Sequence, residues 1–241
     1  MRNAGGFEMK FHIVHYARGA EKARGLAVVI DVFRAFSVAC YAFDQGAEKI
    51  VAAESLDAAR AVKQNHPHYL LMGERHAKKP PDFDLGNSPS EIAGKDLFGK
   101  TLVHSTHAGT KALLAARGAQ TVITAGFVNA AAVARYIVRT CPDDVYLVCA
   151  GFEGKSEALE DVLCARYIRG LVCGDNPDVA PMAEELKTAA SALRFFDPQD
   201  PHSPEADFYM CMDANRFNCI ITKTEADKAT CVLKPVFGSS V

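Results

Sequence analysis

The sequence has no large excess of charge of either sign. It contains 27 lysines and arginines and 29 aspartates and glutamates in 241 residues, so its formal net charge is −2. Proteins that bind nucleic acid through their overall field carry a basic excess. The balance therefore excludes nucleic acid as a partner of the whole chain, and an anionic ligand must be held by a local site.

The sequence also lacks an uncharged hydrophobic run of membrane length. The longest apolar stretch, residues 25–43, is interrupted by Asp31 and Arg34, and the first nine residues contain no apolar signal core. A membrane span rarely carries two charges. We therefore expect a cytoplasmic protein with no membrane partner, and we interpret 25–43 as a buried strand followed by a helix.

Zinc-ligand spacing is absent among the cysteines. The chain has eight cysteines, but they are scattered and none forms a Cys-x2-Cys pair. A chain of this length does not need disulfides for stability. We expect reduced thiols, most of them buried.

Two kinds of segment alternate through the middle of the chain. Short apolar, β-branched runs lie at 27–30, 49–51, 69–72, 101–103, 121–123 and 145–149, and alanine-rich helical stretches lie at 35–45, 55–65, 110–117, 129–139 and 156–172. Nearly continuous apolarity is typical of strands buried on both faces of a parallel sheet. The alternation predicts an α/β fold with three α/β/α layers and a mostly parallel sheet, with a mixed sheet left open.

The remaining segments predict a single α/β domain over 1–241. Residues 76–100 are rich in Pro, Gly, Asp and Lys, and we expect a long connection there with at most one short helix. A helix is expected over 178–196. Residues 197–207 form a polar, proline-bearing linker, and 208–241 form a short tail with one or two strands, at 219–222 and 230–233. We expect 197–241 to pack on the main body because the tail is too short to be stable alone.

Polar residues follow five of the six predicted strands. They lie at 31–34, 73–76, 104–110, 126–129 and 149–154. Ligands of open α/β sheets bind outside the carboxyl ends of the strands. If the strands are parallel, these clusters form one shared site.

Two strand ends each carry a carboxylate and a guanidinium. Asp31 with Arg34, and Glu74 with Arg75, provide the groups for a magnesium-dependent reaction on an anionic small molecule. The carboxylates would hold Mg²⁺ and the arginines would bind oxyanions. The alternative is that these are structural ion pairs.

The 104–110 loop precedes a predicted helix. Ser105, Thr106 and Thr110 offer hydroxyls, and Gly109 allows close approach of the backbone to a phosphate or carboxylate. The alternative is an ordinary helix cap with a turn glycine. His107 is either a proton-transfer group or a bystander.

Two acidic residues, Glu160 and Asp161, lie on the predicted helix that follows the sixth strand. One of them faces the site, or the pair is a solvated helix face.

One rival motif remains open. Residues 149–156 read CAGFEGKS, which differs from a phosphate-binding P-loop because Cys149 replaces the first glycine. This leaves a nucleotide-binding protein as the alternative function. The sequence contains no G-x-G-x-x-G, and neither Cys40 nor Cys149 begins a Cys-x5-Arg phosphatase signature.

The motifs together resemble the 2-phosphosulfolactate phosphatase family. The resemblance runs in order from about residue 10 to residue 235 and rests on IDVFRA at 30–35, GER at 73–75, FDLGNSP at 83–89, GT at 109–110, CAG at 149–151 and ED at 160–161. It implies a magnesium-dependent phosphatase of coenzyme M biosynthesis that hydrolyses 2-phospho-3-sulfolactate to 3-sulfolactate and phosphate. The phosphate would be attacked either by water or by Asp31 itself.

The resemblance also implies roles for individual residues. The catalytic candidates are Asp31, Arg34, Glu74 and Arg75, and the metal candidates are Asp31, Glu74 and Asp84. The substrate-binding candidates are Asn87, Ser88, Ser105, Thr106, His107, Gly109, Thr110, Asn129 and Gly151. The expected partners are a small phosphorylated anion and a second copy of the chain in a homodimer.

The chain departs from the family pattern near the proposed anion loop. Ala108 stands where members often have asparagine, Ala77 and Asp82 stand where they usually have glycine, and His107 is unusual. The reaction class therefore follows from the resemblance more directly than the substrate does.

Overall fold

The computed structural model describes residues 9–237. Its centre is a nine-stranded sheet with the strand order β1-β7-β2-β6-β8-β9-β3-β5-β4. The strands are β1 Lys10–His15, β2 Leu26–Ile30, β3 Lys49–Ala53, β4 Leu70–Gly73, β5 Thr101–Ser105, β6 Thr121–Ala125, β7 Asp144–Cys149, β8 Cys219–Ala226 and β9 Thr230–Phe237.

Helices connect most of these strands. They are α1 Tyr16–Ala20, α2 Ala35–Asp44, α3 Leu56–Asn65, α4 Pro89–Ile92, α5 Gly109–Ala115, α6 Ala130–Thr140, α7 Leu159–Cys173, α8 Ala180–Leu186 and α9 Glu205–Met212, with 3-10 turns at Phe127–Asn129 and Leu193–Phe196. The α/β class and the mostly parallel, mixed sheet predicted from the sequence are confirmed. The 76–100 connection contains one short helix, α4, as expected.

Alternate residues of β2 pack into different cores, which explains its continuous apolarity. Ala27 and Val29 belong to one core cluster, and Val28 and Ile30 belong to another. Both faces of the strand are therefore covered. β1 was not predicted from the sequence; within residues 9–237 it is an edge strand that pairs only with β7, and its residues are mostly half-buried.

Two internally parallel sets of strands meet at an antiparallel hairpin. The first set is β1, β7, β2 and β6, and the second is β3, β5 and β4. The hairpin β8–β9 pairs antiparallel with β6 on one side and with β3 on the other. The predicted C-terminal strands thus exist, but they lie in the middle of the sheet, and the two parallel sets run in opposite directions across them.

The segment before the hairpin differs from its prediction. The helix expected over 178–196 is two shorter pieces, α8 and the turn Leu193–Phe196. Thr188 and Ser191 lie between them, and both residue types favour local side-chain hydrogen bonds over helix interiors. The predicted linker contains the start of α9 at Glu205.

No helix within residues 9–237 is long and apolar enough to cross a membrane. The eight cysteines are free thiols; Cys173 is exposed, Cys141 is half-buried and the other six are buried.

Candidate active site

A cavity of about 250 Å³ lies between the loops that follow β2, β4, β5 and β7. Seven of the sequence candidates line it: Asp31, Arg34, Glu74, Asn87, Thr106, His107 and Gly151. The cavity therefore unites four of the five polar clusters noted in the sequence. The cluster after β6 does not reach it.

Asp31 directly follows β2 and lines the cavity. Its Oδ1 accepts a hydrogen bond from the backbone N–H of Ala35 at 3.1 Å, at the start of α2. Burial raises its pKa to about 7; the Ala35 N–H opposes the rise, and the charges of Glu74 and Glu160 add to it. Gly109 packs directly against this carboxylate, since a Cβ built there would lie 2.5 Å from Asp31 Oδ2.

The acidic pair on α7 faces the same cavity. Glu160 and Asp161 are 3% and 2% exposed, so both members of the pair are buried and neither lies on a solvated face. Asp161 accepts hydrogen bonds from the backbone N–H of Val32 at 3.0 Å and of Gly151 at 2.9 Å, and Ser191 Oγ donates to Glu160 Oε2 at 2.6 Å. Burial raises the pKa of both carboxyl groups, and for Asp161 the charges of Glu160 and Asp31 raise it further.

Glu74 joins two loops at the cavity wall. Its Oε1 accepts from the backbone N–H of His107 at 2.8 Å, and its Oε2 accepts from that of Ala77 at 2.9 Å. The carboxylate thereby fixes the loop after β5 against the loop after β4. While it makes these two hydrogen bonds, Glu74 also lines the cavity.

Arg34 is buried, and its partner is not Asp31. Its Nη1 lies 2.5 Å from Asp207 Oδ2 and donates to the carbonyl of His202 at 3.0 Å. Asp207 is itself fully buried and accepts from Ser88 Oγ and from the N–H and Oγ of Ser90. Ser88, predicted to bind substrate, therefore supports the Arg34 pair instead of lining the cavity.

Arg194 lines the cavity although it was not predicted from the sequence. Its Nη2 donates to the carbonyl of Phe33 at 3.1 Å, and its guanidinium lies 4.9 Å from the centre of the Phe195 ring. Its buried Nε has no hydrogen-bond partner among residues 9–237, and the same is true of Arg34 Nε. One signal was available: like Arg34, Arg194 interrupts an apolar run, here Leu193 to Phe196.

Negative groups outnumber positive ones in the lining. Six carboxyl groups and two guanidinium groups line the cavity, an excess of four negative charges when all are ionised. The carboxyl groups are those of Asp31, Glu74, Glu153, Glu160, Asp161 and Asp200. An anion entering this cavity meets net repulsion unless a cation neutralises it.

Several predicted residues are placed outside the lining. Arg75 donates to the carbonyl of Glu74 at 2.5 Å and to Ser105 Oγ at 2.9 Å, so it braces the ends of β4 and β5. Thr110 is tied to Thr106 by reciprocal hydrogen bonds between backbone N–H groups and side-chain hydroxyls, each 3.3 Å. These contacts stabilise the loop that carries Thr106 and His107 into the cavity.

Asn129 and Asp84 lie away from the cavity. Asn129 is fully buried; its Oδ1 accepts from the Gly126 N–H, and its Nδ2 donates to the carbonyls of Thr124 and Cys219, which ties β6 to β8. Asp84 accepts from the Leu71 N–H at 2.7 Å and lies 3.4 Å from Lys63 Nζ. The structure does not bring Asp84 to the other metal candidates.

The P-loop alternative finds no support. The helix expected at 156 begins at Leu159, and residues 152–156 form a tight turn closed by a bridge between Phe152 and Ser156. Lys155 is exposed and lies 3.5 Å from Glu153 Oε2. A P-loop lysine would instead point over a phosphate cradled by the loop before a helix.

The mouth of the cavity carries two histidines and a glutamate. His76 Nδ1 lies 2.6 Å from Glu153 Oε1, and the rings of His76 and His107 are 5.1 Å apart at their centres. Burial lowers the pKa of His107, and the charges of Glu153 and Glu74 partly offset this.

Comparison with known proteins agrees with the resemblance found in the sequence. The family described as 2-phosphosulpholactate phosphatase matches residues 12–226. A Bacillus subtilis protein named "Probable 2-phosphosulfolactate phosphatase" is 35% identical over 185 residues, 76% of this chain and 80% of its own length.

Two further relatives have the same name. One, from Caldicellulosiruptor saccharolyticus, is 35% identical over 80% of this chain and 87% of its own length. The other, from Synechococcus sp. WH7803, is 34% identical over 89% of this chain and 94% of its own length.

Proposed function

Because the chain belongs to the 2-phosphosulpholactate phosphatase family, we propose that it is a Mg²⁺-dependent phosphatase that hydrolyses 2-phospho-3-sulfolactate, or a related small anionic phosphomonoester, to the alcohol and phosphate. With 2-phospho-3-sulfolactate this would be the coenzyme M step that the resemblance implies. The observation that carries the proposal is the convergence of Asp31, Glu160 and Asp161 with Arg194 in one buried cavity.

The donor set of the cavity fits Mg²⁺. This ion prefers a few carboxylates together with water and phosphate oxygens. Asp31, Glu160 and Asp161 are buried together, and no lysine lines the cavity among the described residues. The pKa of each carboxyl group is raised because ionising it in this buried position, without a cation, costs free energy. Bound there, Mg²⁺ would supply positive charge that stabilises the phosphoryl oxygens.

The arginines would hold the substrate. Arg194 has an unpartnered Nε in the cavity wall, whereas much of the charge of Arg34 is already balanced by Asp207. We therefore assign the main oxyanion contact to Arg194 and a supporting one to Arg34. The cavity volume of about 250 Å³ suits a small molecule such as a phosphorylated hydroxy acid.

The first test replaces the central carboxylate. Asp31→Asn keeps the acceptor for the Ala35 N–H but removes the negative charge. We expect phosphate release from 2-phospho-3-sulfolactate to fall by about 100-fold or more. We also expect Mg²⁺ to raise the Tm of the wild-type protein at pH 8 and to lose this effect in the variant, because only the charged site binds the ion.

The matched control is Asp57→Asn, which neutralises an exposed aspartate on α3 that does not line the cavity. It should leave both readouts unchanged. Unchanged turnover in Asp31→Asn would remove Asp31 from the mechanism. If the wild-type protein released no phosphate from 2-phospho-3-sulfolactate or from other small phosphomonoesters, the proposed function would be wrong.

A further inference from the structure

Three side chains at the mouth of the cavity stand apart from the buried carboxylates. His76 follows β4, His107 follows β5 and Glu153 follows β7, so three separate loops contribute one group each. One ligand atom from each lies within 4.8 Å of the others. No step of the proposed phosphatase reaction uses this cluster.

The chemistry of the three groups selects a class of ion. Two imidazoles and one carboxylate are the ligand set of zinc-type sites with an open coordination position. Mg²⁺ prefers all-oxygen surroundings, which the buried carboxylates offer and this cluster does not. The buried carboxylates would therefore bind Mg²⁺, and the cluster of two imidazoles and one carboxylate would bind a zinc-type ion.

The geometry is close to that of a bound site. Ligand atoms around a tetrahedral zinc-type ion lie roughly 3–3.5 Å apart, given bonds near 2 Å. His76 Nδ1 and Glu153 Oε1 are 2.6 Å apart, a hydrogen-bond distance, so they would separate slightly to hold an ion between them. The His76 side chain is 69% exposed, so it has room to turn. Only a small side-chain movement is needed to close the three atoms around one ion.

His107 has unused hydrogen-bonding capacity. Its ring Nδ1 is buried and has no hydrogen-bond partner among residues 9–237. A buried polar atom without a partner costs free energy. The two other residues hold left-handed backbone conformations, with φ of 53° at His76 and 52° at Glu153, which non-glycine residues adopt at a cost and often at functional sites.

We propose that His76, His107 and Glu153 bind one zinc-type divalent ion at the mouth of the cavity, with an open coordination position towards the cavity. The ion would be separate from the Mg²⁺ assigned to the buried carboxylates. It would add positive charge at the entrance of a cavity in which carboxylates outnumber arginines. The proposal does not rest on the phosphatase reaction, because binding of the ion is measured directly.

The test uses Co²⁺ as a spectroscopic substitute for zinc. The full chain, stripped with a chelator and held in excess Mg²⁺ to occupy the carboxylates, is titrated with Co²⁺ and followed by visible absorption. We expect one Co²⁺ per chain in a four- or five-coordinate site, displaced by Zn²⁺. His107→Asn and Glu153→Gln should each weaken Co²⁺ binding by about tenfold or more, and the His76→Asn/His107→Asn double variant should abolish it.

Two control variants identify binding elsewhere. His68→Asn removes an exposed histidine next to His66, and Cys173→Ser removes the exposed thiol. Neither should change the Co²⁺ affinity, and no thiolate-to-cobalt band should appear in the near ultraviolet. Circular dichroism and Tm confirm that each variant is folded.

Either of two results would overturn the proposal. One is the absence of Co²⁺ binding at millimolar concentration, which would mean that His76 and Glu153 form only an ion pair. The other is binding that survives in the double variant or disappears with His68→Asn or Cys173→Ser. Neither result bears on phosphate release in Mg²⁺ alone, so the proposed function is tested separately.

Discussion

At the residue scale, the role of a buried charged side chain depends on whether it has a buried partner of opposite charge. Arg34 and Asp207 are 2% and 0% exposed, and they form an ion pair between the residue that precedes α2 and a residue of α9. Three further hydrogen bonds, from Ser88 and Ser90, complete the shell of Asp207. A buried pair of this kind contributes mainly because each charge would be costly without the other.

Asp207→Asn should therefore destabilise the protein strongly. The substitution leaves the Arg34 guanidinium buried without its counter-charge, and we expect the free energy of unfolding to fall by about 3–5 kcal/mol. Urea denaturation measures this value.

The matched control for this change is Asp213→Asn, which breaks a surface aspartate–arginine pair with Arg216 at 2.8 Å. Its effect should remain within about 1 kcal/mol. Equal, small effects of the two substitutions would show that Arg34 does not depend on Asp207.

At the element scale, the β8–β9 hairpin is the unusual component. It supplies both neighbours that join β6 to β3, and without it the two parallel sets would each end in an open edge. Each strand of the hairpin pairs with a different neighbour: β6 pairs with Ile221 and Thr222 of β8, whereas β3 pairs with residues 230–233 of β9. Buried edge strands need such partners because their N–H and C=O groups have no water to bond.

Ile221→Ala tests the contribution of the hairpin. Ile221 is fully buried in the core beside β6, and loss of its side chain should lower the free energy of unfolding by about 2–5 kcal/mol. Glu225→Ala, at the exposed end of the same strand, should change it by less than about 0.5 kcal/mol. Chemical denaturation of both variants distinguishes a central hairpin from a loosely attached tail, for which the two effects would be similar.

At the scale of the whole molecule, twist explains how the site assembles. The carboxyl ends of oppositely directed strand sets would lie at opposite edges of a flat sheet. Five inter-strand steps separate β2 from β5, and a twist of about 20–25° per step turns one relative to the other by roughly 100–125°. A twist of this size would turn the opposed strands towards a common direction. Gly109, the first residue of α5, lies against Asp31.

The buried carboxyl groups also make the stability of the whole fold depend on pH. An aspartate in the unfolded chain has a pKa of about 3.9, whereas burial raises that of Asp31 to about 7. Between these values the folded state binds more protons, so the contribution of Asp31 to stability falls as the pH rises and stays unfavourable above pH 7. Burial lowers the pKa of His104 to about 3. Below about pH 6.5 the unfolded chain therefore binds more protons at this residue, so the contribution of His104 to stability rises as the pH rises.

Comparing the wild-type protein with Asp31→Asn separates the pH-dependent effect of Asp31 on stability from that of the histidines. In chelator and without divalent ions, the variant should have a higher Tm than the wild-type protein at pH 8, because it lacks the buried charge. The difference should shrink towards pH 5, where Asp31 is protonated. A wild-type protein that is the more stable of the two at pH 8 would contradict the raised pKa and would indicate a structural ion pair.

Local pattern in the sequence was sufficient for the strands from β2 to β7 and for the family. Continuous apolar runs marked the strands from β2 to β7 because strands buried on both faces need apolar side chains in both directions. Asp31, Arg34 and Glu74 could be assigned to a site because charges at the ends of such runs are too costly without a function or a partner. These inferences depend on neighbours in the chain, which a single sequence displays.

Only the tertiary structure decided which candidates meet. Asp84 and Asn129 occur in suitable motifs, but hydrogen bonds to Leu71 and Gly126 hold them elsewhere. Arg194 and Asp207 come from a segment that resembled a helix and a linker, yet Arg194 lines the cavity and Asp207 pairs with Arg34. Long-range pairing and accumulated twist determine these placements, and neither leaves a pattern in the local sequence.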